Sequence, residues 1–305
     1  LELEFLGTGS GVPSKIRNVS SIALKMLQER DEVWLFDCGE ATQHQLLSST
    51  IKPRKISKIF ITHMHGDHIF GLPGLLSSRS FQNGTESIQI FGPKGLKKFL
   101  ETSLETSHTR LKYDIEFVEL NEGMIFEDEH LSVSCFTLIH GVPSYGFVIQ
   151  ERDSIGHLLP EKLKEKGIHP GPIYQEIKKQ EVTVLPDGTH VHRDEVTGPP
   201  IKGRKIVICG DTKPTKDIVQ QAKDADVLVH EATFTNKDLQ LAEDYNHSSS
   251  HEVVRLASLA NVSQLLLTHL SSRYNQSDLE QELNQLKSIF HSVQYAYDSF
   301  KYEVK

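Results

Sequence analysis

"FITHMHGDHIFGLPGLL", residues 60–76, places His63, His65, Asp67 and His68 within six residues, between an apolar run and a second apolar run punctuated by Gly and Pro. The first run reads as a buried strand that delivers the cluster. A lone histidine beside such a strand is usually a satisfied structural residue. Three imidazoles and a carboxylate at one turn are instead a donor set suited to zinc and comparable divalent ions. Gly66 is read as the residue that lets the chain turn tightly among the donors.

The same arrangement recurs along the chain. Apolar runs end in a metal-competent side chain at KIFITH (58–63), CFTLIH (135–140), KIVICGD (205–211), DVLVHE (226–231) and QLLLTH (264–269). Strands that stop at polar groups bring those groups to one edge of a sheet, where sites of α/β folds gather. With His140, Asp211 and His269 added to the cluster, seven donors are available. One tetrahedral site needs fewer, so a two-metal centre with one bridging carboxylate is expected. Two ions ~3.5–4 Å apart clamp a phosphoryl displacement and generate a nucleophile without Ser or Cys.

The 305 residues suffice for one large α/β domain or two smaller ones, and 37% apolar with 24% charged residues is ordinary for a globular chain. No apolar run approaches the ~20 residues that span a bilayer. The start, LELEFLGTGS, has no basic region and reads as a first strand rather than a signal peptide. Cys38, Cys135 and Cys209 are odd in number and far apart, each in an apolar context. Buried thiols in a reducing, cytoplasmic compartment are expected. A net charge of −8 argues mildly against a surface coated for nucleic acid.

Strands are read at 2–6, 19–27, 32–37, 58–63, 88–91, 115–119 and 131–139, with helices at 40–49, 69–82 and 94–106. From 205 strands and helices alternate, which implies layered α/β packing. Residues 151–205 carry six prolines, mixed charge and few apolar residues, and read as an inserted flexible arm, about 151–200, rather than core.

The signature His63-x-His65-x-Asp67-His68, with His140, Asp211 and His269, resembles the metallo-β-lactamase superfamily. Asp37 in "FDCGE" matches that superfamily's early structural aspartate. The resemblance implies a single αββα four-layer sandwich over 1–305 with metals at one edge. "FLGTGSGVPSKIRN" (5–18), "FDCGEATQHQL" (36–46), "FGPKG" (91–95), "GDT" (210–212), "HEATF" (230–234), "NHSSS" (246–250) and "LTHLSSRY" (267–274) are similar to the ribonuclease Z family in its short bacterial form. "GPIYQEIKK" (171–179) is similar to the Gly-Pro-containing exosite of that family's arm. Where the family usually shows His-Ser-Thr, this chain has His247-Ser248-Ser249.

The resemblance implies a zinc-dependent endoribonuclease that removes the 3′ trailer from precursor tRNA, cutting after the discriminator nucleotide. His63, His65, His140 and Asp211 would hold one of two zinc ions. Asp67, His68, Asp211 and His269 would hold the other. Asp67 would serve as general base, and Glu231 with His247 would protonate the departing 3′ oxygen. A homodimer is implied, with one subunit's arm holding tRNA for the other's site. The competing reading on the same dinuclear site is a hydrolase of small phosphodiesters or other small esters. A non-catalytic RNA-binding subunit is a third.

Other signals are weighed beside these. Gly171 and Pro172 of the arm, Lys15 and Arg17 of the early loop, and Arg273 just past His269 are read as RNA contacts; for Lys15 and Arg17 ordinary surface charge is an equal alternative. "GTGSG" (7–11) lacks the helix start that a phosphate loop needs, so a tight turn and no nucleotide cofactor are expected. His230-Glu231 is not a zinc-protease motif, since Phe occupies position 234. His251, four residues after His247, competes with it for the acid's role.

Overall fold

The central strands read as unbroken apolar runs because both of their faces are covered. The computed structural model describes residues 1–305. Its strands in chain order are β1 (Glu2–Gly7), β2 (Ser21–Met26), β3 (Glu32–Phe36), β4 (Ile56–Phe60), β5 (Ile88–Gly92), β6 (Ile115–Glu119), β7 (Gly123–Glu127) and β8 (Leu131–Leu138). They continue as β9 (Ser144–Glu151), β10 (Val182–Val184), β11 (His190–His192), β12 (Lys205–Cys209), β13 (Val227–Glu231), β14 (Gln264–Thr268), β15 (Val293–Tyr295) and β16 (Lys301–Glu303). One seven-stranded sheet has the order β16-β1-β2-β3-β4-β5-β6 and the other β15-β14-β13-β12-β9-β8-β7. Both are mixed: β1, β2 and β3 pair antiparallel while β3 to β6 run parallel. Strands β12 to β15 run parallel while β7 and β8 pair antiparallel.

Side-chain alternation decides which layer each residue joins. Val33 and Leu35 of β3 face outward, into a cluster with Leu72, Leu75 and Leu76 of the helix Leu72–Phe81 and with Leu96 and Leu100 of the helix Leu96–Thr106. Trp34 and Phe36 face inward. The rings of Phe36, Phe60 and Phe91 form a ladder across β3, β4 and β5, stacked at 5.0 and 4.6 Å, close to the spacing of neighbouring strands. Phe147 of β9, in the other sheet, packs on Phe36 and Phe60 at 5.7 and 5.5 Å. Trp34 meets Phe126 of β7 edge-on at 5.4 Å. The second sheet's outer face is covered by Val253, Val254 and Ala257 of the helix Ser250–Leu259 and by Leu279 and Leu286 of the helix Gln276–Ile289. This is the αββα sandwich expected from the sequence.

The chain divides into two units: residues 1–128, 132–149 and 205–305 form one, and 129–131 with 150–204 form the other. The second unit contains the short helices Pro160–Glu165, Ile173–Lys179 and Arg193–Val196 and the antiparallel β10–β11 hairpin. Its apolar residues are few, but Leu163, Ile168, Ile177, Val191 and Val196 close around one another. The segment therefore has a small core of its own, which its sparse apolar content did not suggest.

Candidate metal centre and active site

All seven expected donors meet in the larger unit, together with Glu231 and His247. They stand at the ends of β4, β8, β12, β13 and β14, on one edge of both sheets. The strands stop earlier than the sequence suggests: β4 ends at Phe60, and residues 61–65 carry the chain as loop to His63 and His65. Asp67 and His68 then lie on the short helix Gly66–Ile69. Gly66 is needed for a different reason from the one expected. It has no positive φ, but a Cβ there would meet the Phe70 ring at 2.2 Å. Three non-glycine residues do adopt the left-handed region beside the site, Asp37 at φ 61°, Asn246 at φ 57° and His269 at φ 57°. Such conformations cost free energy and persist where the surroundings over-determine them.

The donors form two groups. Nδ1 of His65 lies 3.1 Å from His63 Nε2 and 3.2 Å from His140 Nε2, with Asp211 Oδ2 at 3.6 Å from His63 Nε2 and 3.9 Å from His140 Nε2. In the second group Asp67 Oδ2 lies 3.3 Å from His269 Nε2 and 3.5 Å from His68 Nε2. Asp211 Oδ2 faces this group too, 3.5 Å from His68 Nε2 and 3.3 Å from His269 Nε2. One carboxylate oxygen thus stands between both sets.

Hydrogen bonds on the far side of four of the rings, those of His63, His68, His140 and His269, set which nitrogen points inward. Thr62 Oγ1 donates to Asp37 and accepts from His63 Nδ1 at 2.9 Å. Asp37 Oδ2 accepts from His68 Nδ1 at 2.7 Å, and the Asn246 carbonyl accepts from His140 Nδ1 at 2.9 Å. Thr233 Oγ1 donates to Glu231 Oε2 and accepts from His269 Nδ1, both at 2.8 Å. With Nδ1 carrying the proton in each case, four Nε2 lone pairs converge on the carboxylates, the arrangement that metal-ligating histidines adopt. The chemistry of the donor set therefore fits divalent cations: within each group the donor atoms lie within 4.8 Å of one another. Thr62, Thr233 and Asn246 escaped the sequence reading, because hydroxyls and carbonyls carry no signature until the rings are placed.

Burial and neighbouring charges act on these groups in different directions. Burial lowers His63 well below the usual imidazole range. Burial would raise Asp211, but His269, His68 and His63 outweigh it and hold it well below the carboxylate range. His68 is opposed by burial yet pushed well up by Asp211 and Asp37. A cation binding at its Nε2 displaces a proton.

Beside the donors sits a carboxylate–imidazole pair. Glu231 Oε1 accepts from His247 Nδ1 at 2.7 Å, and Glu231 is further held by the backbone N–H groups of Thr212 and Thr233, each at 3.0 Å. Burial opposes the charge on His247, but Glu231 outweighs it and raises the imidazole to about 9. His251 does not compete: its Nε2 faces Glu282 at 3.4 Å. His230 is fully buried within β13, its Nδ1 bonded to the Glu231 carbonyl at 2.7 Å. Ser249, the variant position of "NHSSS", is the N-cap of the helix Ser250–Leu259 and closes a capping box with Glu252. Only its hydroxyl is needed there, which a threonine would also supply.

The early loop is part of the site. Gly9 bridges to Val19 and Leu270, and the Gly11 N–H donates to Asp67 Oδ2 at 2.8 Å with Gly11 at φ +72°. Of the two basic residues expected to meet RNA here, Lys15 is exposed, but Arg17 is not available. Arg17 is 9% exposed and its Nη1 donates to Thr8 Oγ1 and the Ala296 carbonyl at 2.6 and 2.7 Å. It braces the loop from within, so its assignment as an RNA contact is corrected. Arg273 is partly exposed, 3.7 Å from Asp238 and 5.3 Å over the Phe234 ring. Gly171 and Pro172 are exposed before the helix Ile173–Lys179 of the second unit.

Comparison with known proteins now bears on this site. The chain is 51% identical over 305 residues to "Ribonuclease Z" of Bacillus subtilis, covering 100% of this chain and 99% of that protein. The Oceanobacillus iheyensis protein of the same name is 52% identical over 306 residues, with full coverage of both chains. The chain belongs to the ribonuclease Z family. A solved structure of the short form of human tRNase Z superposes with a TM-score of 0.73 at 30% identity, covering 100% of each chain. Residues 1–157 also match the family model described as "Anti-Pycsar protein Apyc1", so the first half belongs with that family as well. That stretch includes His63 to His140 and stops before Asp211, so it lacks the shared carboxylate that the ribonuclease Z likeness spans.

Proposed function

We propose that this protein is an endoribonuclease that removes the 3′ trailer from tRNA precursors. It cuts after the discriminator nucleotide and leaves a tRNA 3′-hydroxyl and a trailer 5′-phosphate. The observation that carries this reading is the Glu231–His247 pair set directly against the seven-donor centre, in a chain of the ribonuclease Z family along its whole length.

We assign His63, His65, His140 and Asp211 to one zinc ion and Asp67, His68, Asp211 and His269 to a second. Bound there, the ions supply Lewis acidity to the phosphate and lower the pKa of a water molecule. Asp67, its Oδ2 held by the Gly11 N–H, orients that water and accepts its proton. The water oxygen forms a bond to phosphorus as the bond from phosphorus to the 3′ oxygen breaks. His247 gives that oxygen a proton from Nε2, since its Nδ1 is held by Glu231. Glu231 keeps its charge and stabilises the imidazolium.

The residue 150–204 unit is assigned to binding the tRNA body, and the active species is taken to be a homodimer in the cytoplasm. The three free, buried cysteines suit a reducing compartment, and no helix is long and apolar enough to cross a membrane. A monomer mass at working concentration with full activity would rule out the dimer.

The deciding experiment is cleavage of a 3′-extended tRNA precursor, with and without chelator, by the wild type and Asp67→Ala. A single cut after the discriminator nucleotide is expected. It should be abolished by chelation and slowed about 100- to 10,000-fold by the substitution. A zinc-replete protein that cuts a small phosphodiester but no precursor would establish the small-substrate hydrolase instead.

A further inference from the structure

On one side of His247 lies an aromatic group that the chemistry above does not use. Phe234 is buried, its ring 6.1 Å from that of His247. The ring of Tyr245 lies near-parallel to it, 6.5 Å away at 24°. Tyr245 nevertheless keeps 62% of its surface in contact with solvent. Its backbone is anchored: it ends the helix Leu239–Asp244, with its N–H on the Leu241 carbonyl at 3.0 Å. Asn246 then turns the chain at φ 57° and offers its carbonyl to His140, and His247 follows. An exposed ring is thus built into the turn that carries the acid. Arg273 flanks the same Phe234 ring, held by Asp238, and its segment is tied back by the Ser271 N–H on the Thr233 carbonyl at 3.2 Å.

An aromatic ring left open at such a place has a use in a nuclease. His247 protonates the 3′ oxygen that leaves, and that oxygen belongs to the nucleotide on the 5′ side of the cut. Groups around His247 therefore face that nucleotide and not the trailer. We propose that Tyr245, backed by Phe234, is the platform on which the base of that nucleotide stacks, with Arg273 beside it to meet the adjoining backbone phosphate. Stacking on an aromatic face accepts any base. The platform thus positions the nucleotide without restricting which base precedes the cut. This inference rests on the function proposed above.

The test crosses an enzyme variant with a substrate variant. Wild type, Tyr245→Ala and Tyr245→Phe are assayed on a precursor with an ordinary nucleotide 5′ of the cut and on one with an abasic residue there. With the base present, Tyr245→Ala should lower kcat/KM about tenfold, and Tyr245→Phe should match wild type. On the abasic precursor all three should be equal, which also shows that the variants are folded. Equal loss by Tyr245→Ala on both precursors overturns the platform, as does no loss on either, or a loss by Tyr245→Phe as large as that of Tyr245→Ala. Failure of the wild type to cut any precursor overturns the nuclease reading and the platform with it. Cutting without base dependence overturns the platform alone.

Discussion

The two units of the chain differ in what holds them. The larger is built on two seven-stranded sheets whose aromatic interior and helix-covered faces are almost fully buried, and His63, His68, His140 and His269 in it are each fixed by a partner on the ring's far side. The smaller is held by a two-stranded hairpin, short helices and five buried apolar residues. The function proposed above gives the two units different tasks. Transferring a proton to one oxygen tolerates displacements well under an ångström, so its groups need rigid supports. Gripping a large RNA needs reach and contact area, and a lightly packed unit suffices.

Removing the smaller unit should affect one substrate class and spare the other. Deletion of residues 155–198 is expected to lower kcat/KM on precursor tRNA about 100- to 10,000-fold, the scale lost when a second binding site is uncoupled from the first. Hydrolysis of a small chromogenic phosphodiester should be unchanged, whereas Asp67→Ala should lose both. Equal loss of both activities on deletion would mean that the two units are not divided by task.

A smaller change sharpens the same contrast. Ile177 is fully buried in the five-residue core, and Ile177→Ala should cost about 2–5 kcal/mol there. Hydrogen exchange should then speed up at the β10–β11 hairpin amides and stay slow in β13. Loss of protection in both places would show one cooperative unit.

Much of the site was legible because metal donors are chemically conspicuous. His63, His65, Asp67 and His68 are near neighbours in sequence. His140, Asp211, Glu231 and His269 each follow an apolar run. The less legible parts have local causes. Strand β16 is a three-residue, largely exposed edge strand and shows no apolar pattern. Strand β9 runs unbroken through Gly146, a residue that weakens the strand signal and where a Cβ would meet the Phe136 ring at 2.4 Å. Arg17 read as a surface cation because its charge says nothing about the Thr8, Ala296 and Asp298 groups that surround it.

The sequence by itself pointed to layered α/β packing and to the candidate donors, since burial periodicity and ligand chemistry are properties of residue types and their order, while the αββα sandwich followed from the family resemblance. The tertiary structure alone decided which nitrogen of each imidazole faces the site, that His247 and not His251 meets Glu231, and that the Gly11 amide reaches Asp67. These depend on contacts between residues as far apart as His140 and Asn246, or Gly11 and Asp67. Hydroxyls, amides and carbonyls are common to every chain, and they acquire a role only where the fold aims them.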